Sequence, residues 1–426
     1  MNIDTKKLSF QLLYISSLMF AVFVATSIAA DSLAISIGLI GLIMLILTKQ
    51  FRFERNDLPP ALFSITYFWS SVFSINPIHS LSSFHYIWHF APYWIVSRIK
   101  NNYKTIINVL AIFIIISSIG VYFNAFFCIK PANIFSVAWS SLHFSLPNKA
   151  CAPEGFSGFP SYIGAIMLVS TFFFGALGFY NKKKLYLLAS LCALIATILT
   201  QERQDWLGLL VGIISIAFFV KNRKIWLIYL AGIVLVVGLA QTGFVKNRLH
   251  YTLHFTKDPD IVIRFAMIKA SFDIFNKSSL TRKLTGYGPS FASKIVHDDT
   301  VKIYKQLANK YHINPNANIA TVIDNYYVNI LMSAGLIGLI LILSAFFMLL
   351  RNNIKAIKYS SGEQKAILIG MSLGLIAFYV ASGFDNLLGS AQVSIFLSFM
   401  LGINSLVISS CHPEGHESGR RISSPL

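Results

Sequence analysis

The chain has 426 residues, of which 55% are hydrophobic and 12% charged, against about 25% charged in soluble domains. That excludes a soluble globular protein and points to an all-α integral membrane protein. The net charge of +18 is no nucleic-acid signal, because most of the basic residues sit in links between apolar stretches.

A membrane helix needs about 20 apolar residues. About twelve stretches qualify: 8–29, 32–48, 58–75, 82–97, 105–125, 158–180, 185–200, 206–220, 225–242, 323–350, 366–384 and 391–410. The first follows Lys6 and Lys7 as a signal peptide would, but its apolar run is too long for one and reads as a retained helix. Every second link is basic, for example Lys49, Arg52 and Arg55, then Arg98, Lys100 and Lys104, then Lys182, Lys183 and Lys184. The positive-inside rule puts those links, and with them both termini, in the cytoplasm. The expected architecture is a single polytopic domain over 1–426. It has about twelve transmembrane helices, one large helical outward loop at 243–322 between helices 9 and 10, and a short cytoplasmic tail at 411–426.

Cys128 and Cys151 both fall in the outward link between the fifth and sixth stretches and can pair if that side is oxidising. Cys192 and Cys411 read as inert thiols. His85 and His89, and His250 and His254, are each four apart and share a helical face. No third ligand stands near either pair, so they read as interfacial residues and no metal is expected.

In the long loop, basic residues outnumber Asp258, Asp260, Asp273, Asp298 and Asp299. Such an excess suits an anionic substrate, or more simply anionic lipid headgroups. Ile261, Phe265, Ile268, Phe272 and Phe275 have helical spacing, which predicts a helix over 259–277 lying along the membrane surface. Pro259 and Asp260 suit its first turn. Gly286-Tyr287-Gly288-Pro289 signals a turn. A second polar helix is expected over 290–311, its tyrosines and lysines lining a groove, before Asn314-Pro315-Asn316 breaks it.

Arg203 lies in Thr200-Gln201-Glu202-Arg203-Gln204-Asp205-Trp206-Leu207, a polar knot between two apolar stretches. An arginine at a membrane boundary is a functional candidate, and its planar fork suits two phosphate oxygens. The plainer alternatives are an ion pair with Glu202 or Asp205, or snorkelling to headgroups. Arg264 lies on the polar side of the 259–277 segment, where a solvated arginine is the ordinary reading. Asp324 precedes the tenth stretch and is either a helix cap or a carboxylate that accepts a proton from a sugar hydroxyl. Asn325, Tyr326 and Tyr327 follow it as residues able to orient a sugar.

These residues resemble the O-antigen ligase/polymerase superfamily over roughly 155–410. Arg203-x3-Leu207 is similar to the family's Arg-x3-Leu element. Arg264 followed by Gly286-Tyr287-Gly288-Pro289 resembles its loop arginine and Gly-x-Gly-Pro turn. Asp324 and Gly335 keep the spacing of the ligases' His-x10-Gly element, with Asp in place of the histidine. That departure favours a polymerase of O-antigen or exopolysaccharide repeats over a ligase joining polymer to lipid A-core.

The resemblance implies a multi-pass protein of the bacterial inner membrane with a periplasmic active site. It implies an inverting glycosyltransferase needing neither metal nor cofactor. The donor is an undecaprenyl-diphosphate-linked glycan and the acceptor a lipid-linked glycan or lipid A-core. Arg203 and Arg264 would clamp the diphosphate and Asp324 would be the base. Asn325, Tyr326, Tyr327, Tyr287 and Arg248 would contact substrate. Membrane lipids and a chain-length regulator are the other expected partners. The reading from another class is a flippase for the same lipid-linked glycans.

Overall fold

The computed structural model describes residues 3–80, 83, 85–99, 103–129, 153–156, 158–219, 255–319 and 321–411. Among them the regular structure is all helical. The helices are α1 (Ile3–Phe23), α2 (Ile28–Leu47), α3 (Leu58–Val72), α4 (Pro77–Ser80), α5 (His85–Trp88), α6 (Ala91–Val96), α7 (Tyr103–Phe127), α8 (Pro160–Asn181), α9 (Lys184–Leu199) and α10 (Arg203–Phe219). After them come α11 (Pro259–Lys277), α12 (Leu280–Thr285), α13 (Ala292–Tyr311), α14 (Tyr326–Tyr359), α15 (Gly362–Ser382) and α16 (Ala391–Cys411).

Six of these, α2, α7, α8, α14, α15 and α16, are long and apolar enough to cross a membrane, and α9 is a shorter apolar helix. The ninth expected stretch, 225–242, lies outside the described residues, so a count of about twelve stays an expectation. The fourth, 82–97, is not one helix. It is built from the short helices α5 and α6, because Pro92 has no N–H to donate and a ring that clashes with the preceding turn, so it is tolerated only in the first turn of α6.

The bundle centres on α8, α15 and α16. Gly370 and Gly374 on α15 let its backbone close onto Phe173 and Val169 of α8, the small-residue packing that membrane helices use. Outer helices turn apolar side chains away from the core, as α2 does with Leu33, Ile40, Ile43 and Leu47.

Segment 255–319 folds as a helical cap on the first part of α14. α11 and α13 pack through Val262, Ala266, Tyr304 and Ala308, and through Met267, Ala270, Ala292 and Val296 against Ile323, Val328 and Met332. Both cap helices appear where the sequence predicts them. α11 buries the side with small residues and leaves Phe265 and Phe272 exposed. On α13, Tyr304 fills the core and does not line a groove; its hydroxyl donates to the Asn314 carbonyl at 2.6 Å.

α14 is broken at Gly335 (φ 69°, ψ −168°). In an unbroken helix the carbonyls of Met332 and Ser333 would accept from residues 336 and 337. Here the N–H groups of Tyr287 (2.8 Å) and Gly288 (2.9 Å) take them. The same turn reaches α3: the Tyr287 carbonyl accepts from Ile75 N and Ser74 Oγ, both at 3.2 Å. The Gly-x-Gly-Pro turn and the distal glycine of the Asp324 element are thus two halves of one joint. At the other end of α3, Asp57 is buried, paired with Arg98 and bonded by the Tyr93 hydroxyl at 2.7 Å. The cap and this basic link therefore lie at opposite ends of the helix.

Candidate active site

α9 ends at Leu199 and α10 begins at Arg203, so the polar knot is a tight turn, closed by Gln201 in the left-handed region (φ 63°). Arg203 thereby occupies the first turn of α10. A cation is disfavoured there by the helix dipole, and the compensation comes from another element. Its partner is neither Glu202 nor Asp205: the Arg203 Nη2 pairs with Oδ2 of Asp258, 55 residues on. Asp258 is the N-cap of α11, where its Oδ1 accepts from Asp260 N at 3.0 Å. Arg203 Nε is buried with no hydrogen-bond partner among the described residues.

On α11, Arg264 turns its Nε to Oδ2 of Asp324 at 4.0 Å. Both side chains are about one-third exposed (33% and 32%), so the pair is reachable from outside the protein. Burial pushes the Asp324 carboxyl above the usual carboxylate range, opposed by the Arg264 charge and reinforced by Asp385 and Asp260. Asp324 does not cap α14. Asn325 does, its Oδ1 accepting from Val328 N at 3.0 Å.

Asp385, in the link between α15 and α16, completes the cluster. Its Oδ2 accepts from Gln204 Nε2 at 3.1 Å and its Oδ1 from Asn386 N at 2.6 Å. Burial raises this carboxyl too, against the lowering effects of Arg264, Asn386 and Ser161. Gln204 also donates to Glu202 at 3.0 Å. Beneath them Asp205 is fully buried with neither carboxylate oxygen hydrogen-bonded; its carboxylate lies so close to Gly164 that a Cβ there would overlap it.

Separate ion pairs therefore tie α11 to two other parts of the chain, Arg203 to its Asp258 cap and Asp324 to its Arg264. The expected sugar-contacting residues have other duties. The Asn325 amide is committed at both ends, since its Nδ2 donates to the Gly383 carbonyl. Tyr326 is fully buried in the main core, and Tyr327 donates to the Tyr379 carbonyl at 2.9 Å. Tyr287 shares a hydroxyl–hydroxyl hydrogen bond with Ser278. Arg248 and Cys151 lie outside the described residues; Cys128 follows the last turn of α7. Among the described residues no group of three or more His, Cys, Asp or Glu is placed to hold a metal ion.

Sequence reasoning overlooked Asp258, Gln204 and Asp385. The signals were present: Asp258-Pro259 is an N-cap followed by a first-turn proline. Asp385-Asn386 is a polar break between two apolar stretches, the same feature that singled out Arg203.

No curated protein matches the chain. Residues 188–343, from within α9, through the cap, to just beyond the Gly335 break, match the family model of O-antigen ligase. Arg203, Arg264 and Asp324 all fall inside the matched segment, and over these residues the chain is similar to the O-antigen ligase family.

Proposed function

We propose that the chain is a membrane glycosyltransferase that moves a glycan from a polyprenyl diphosphate to a sugar hydroxyl, polymerising repeats at the periplasmic face of the bacterial inner membrane. The family supplies the general activity. The observation that supports the reading is that Arg203 pairs with the Asp258 cap of the helix that carries Arg264, and Arg264 pairs with Asp324.

The acceptor hydroxyl attacks the anomeric carbon as the bond from that carbon to the diphosphate oxygen breaks, so configuration inverts. The hydroxyl proton goes to Asp324, and polyprenyl diphosphate leaves with the electron pair. Arg203 and Arg264 stabilise the charge gathering on the leaving diphosphate. A carboxyl raised above its usual range is a stronger base once ionised, which suits Asp324 to its part. Asp in place of the ligases' histidine favours polymerisation over transfer to lipid A-core. N and C termini are cytoplasmic in this arrangement, and no metal takes part.

The test is gene deletion followed by gel analysis of surface glycans, with complementation by Arg203→Lys. Loss of polymer with a single capped repeat remaining supports the polymerase. Free lipid-linked polymer would move the assignment to a ligase. Unpolymerised lipid-linked repeats trapped on the cytoplasmic side would move it to a flippase. Full complementation by Arg203→Lys, which keeps the charge and loses the fork, would remove the diphosphate clamp.

A further inference from the structure

The Asp258 carboxylate does two jobs with its two oxygens. Oδ2 holds Nη2 of Arg203 on α10, and Oδ1 caps α11, the helix that carries Arg264. The side chain is 7% exposed and the arginine's 20%, so the carboxylate is enclosed while the guanidinium keeps some contact with solvent. The Nε–H of Arg203 points elsewhere: it is buried and has no acceptor among the described residues. A buried donor left unpaired beside a reachable ion pair calls for an oxygen that arrives with a ligand.

We propose that Asp258 is a positioning residue for the donor diphosphate. It fixes one end of the Arg203 fork so that Nε–H faces a phosphate oxygen. The same carboxylate sets where α11 begins, and so fixes Arg264 relative to Arg203. Arg264 lies about 1.7 turns, roughly 9 Å of helix, beyond the cap. The ion pair and the cap together define the span that the diphosphate bridges. This rests on the donor assignment made above and adds to it the group that aligns the two arginines.

Asparagine caps a helix about as well as aspartate, whereas a longer carboxylate keeps the charge and caps poorly. The two roles of Asp258 can therefore be separated. The full-length protein in nanodiscs is titrated with undecaprenyl diphosphate, and thermal melting is followed on the same samples. Asp258→Asn is expected to bind about tenfold to a hundredfold more weakly, the usual loss when a group orienting a ligating side chain is removed, with its melting temperature close to that of the parent. Asp258→Glu is expected to melt lower yet bind more tightly than Asp258→Asn.

Parent-like binding by Asp258→Asn overturns the proposal. So does the opposite order, in which Asp258→Glu binds more weakly and binding simply tracks melting temperature, because Asp258 would then be a cap alone. Should Asp258→Asn fail to reach the membrane, Asp258→Ser against Asp258→Glu gives the same comparison. Arg203→Lys separates the two levels of the argument. If it binds undecaprenyl diphosphate as the parent does, the donor assignment itself falls. If it loses binding while Asp258→Asn does not, only the positioning role falls.

Discussion

Gly286 and Gly335 face each other where the cap meets α14. A Cβ on Gly286 would run into the backbone of Ser333 and Ala334, and a Cβ on Gly335 into the backbone of Leu284 and Thr285. Both residues have positive φ, 76° and 69°, with ψ near 180°, a region that is essentially glycine-only. The backbone strain of an alanine at either position costs about 1–3 kcal/mol, and the overlap adds to it. Gly335→Ala and Gly286→Ala are expected to lower the melting temperature of the purified protein and to abolish activity together. Gly362→Ala, also at positive φ but with open space around it, tests the strain without the overlap and should lose less stability. Equal losses at all three positions would mean that the joint itself matters little.

If Asp324 is the base proposed above, the Arg264–Asp324 contact should make activity depend on pH in a defined direction. As the proposed base, Asp324 takes a proton only when ionised, so turnover should rise as pH rises through its pKa. Burial holds that carboxyl above the usual value of about 3.9, and the acid limb of the rate profile should be centred above that value. Arg264 opposes the shift. In Arg264→Gln the residual activity should therefore have its acid limb displaced to higher pH. Asp324→Asn should lose about a hundredfold to ten-thousandfold in kcat and flatten the limb. An acid limb that stays in place in Arg264→Gln would show that Asp324 is not the titrating base.

Asp385 gives a stability prediction of the opposite kind. Its carboxyl binds a proton more tightly in the folded protein than in the unfolded chain, because burial outweighs Arg264, Asn386 and Ser161. The stability this group contributes is present below the unfolded value of about 3.9 and is lost as pH rises through the raised folded value. Asp385→Asn keeps an oxygen to accept from Gln204 and removes the charge. Its melting temperature relative to the parent should be more favourable at pH 7 than at pH 4. A difference that does not vary with pH would place Asp385 in a better-solvated setting than its neighbours indicate.

Much of the helix order was legible because apolar length, proline and basic links are local signals. α11 and α13 could be placed from Pro259, the Gly-x-Gly-Pro turn and Asn314-Pro315. The side of α11 that packs on α13 was not legible. Ile261, Phe265, Ile268, Phe272 and Phe275 form a stripe at helical spacing, and in a soluble protein that stripe would be the buried one. α13 selects the smaller side instead, since Val262, Ala266 and Ala270 allow closer approach. Arg203, Arg264 and Asp324 could be named from their motifs, but their partners could not. Arg203 and Asp258 lie 55 positions apart, and Asp385 lies on a link with no motif of its own. Contact across that distance is a property of the packed bundle.

The exposed side of α11 leads to the last prediction. Phe265 is 63% exposed and Phe272 46% exposed, seven residues apart on one face, opposite the side that packs on α13. Two phenyl rings left out of a core beside the first apolar turns of α14 are placed to meet acyl chains or the headgroup boundary. In nanodiscs made with bromine-labelled lipids, the fluorescence of an indole introduced by Phe265→Trp should be quenched strongly. An indole introduced by Lys302→Trp, on α13 across the cap from that face, should be quenched weakly. Phe265→Ser with Phe272→Ser should change melting in detergent by no more than about 0.5 kcal/mol per site, as surface substitutions do, and should lower turnover only in a bilayer. Equal quenching of the two indoles would lift α11 off the membrane. The arginine it carries would then no longer lie at the depth where a lipid-borne diphosphate is held.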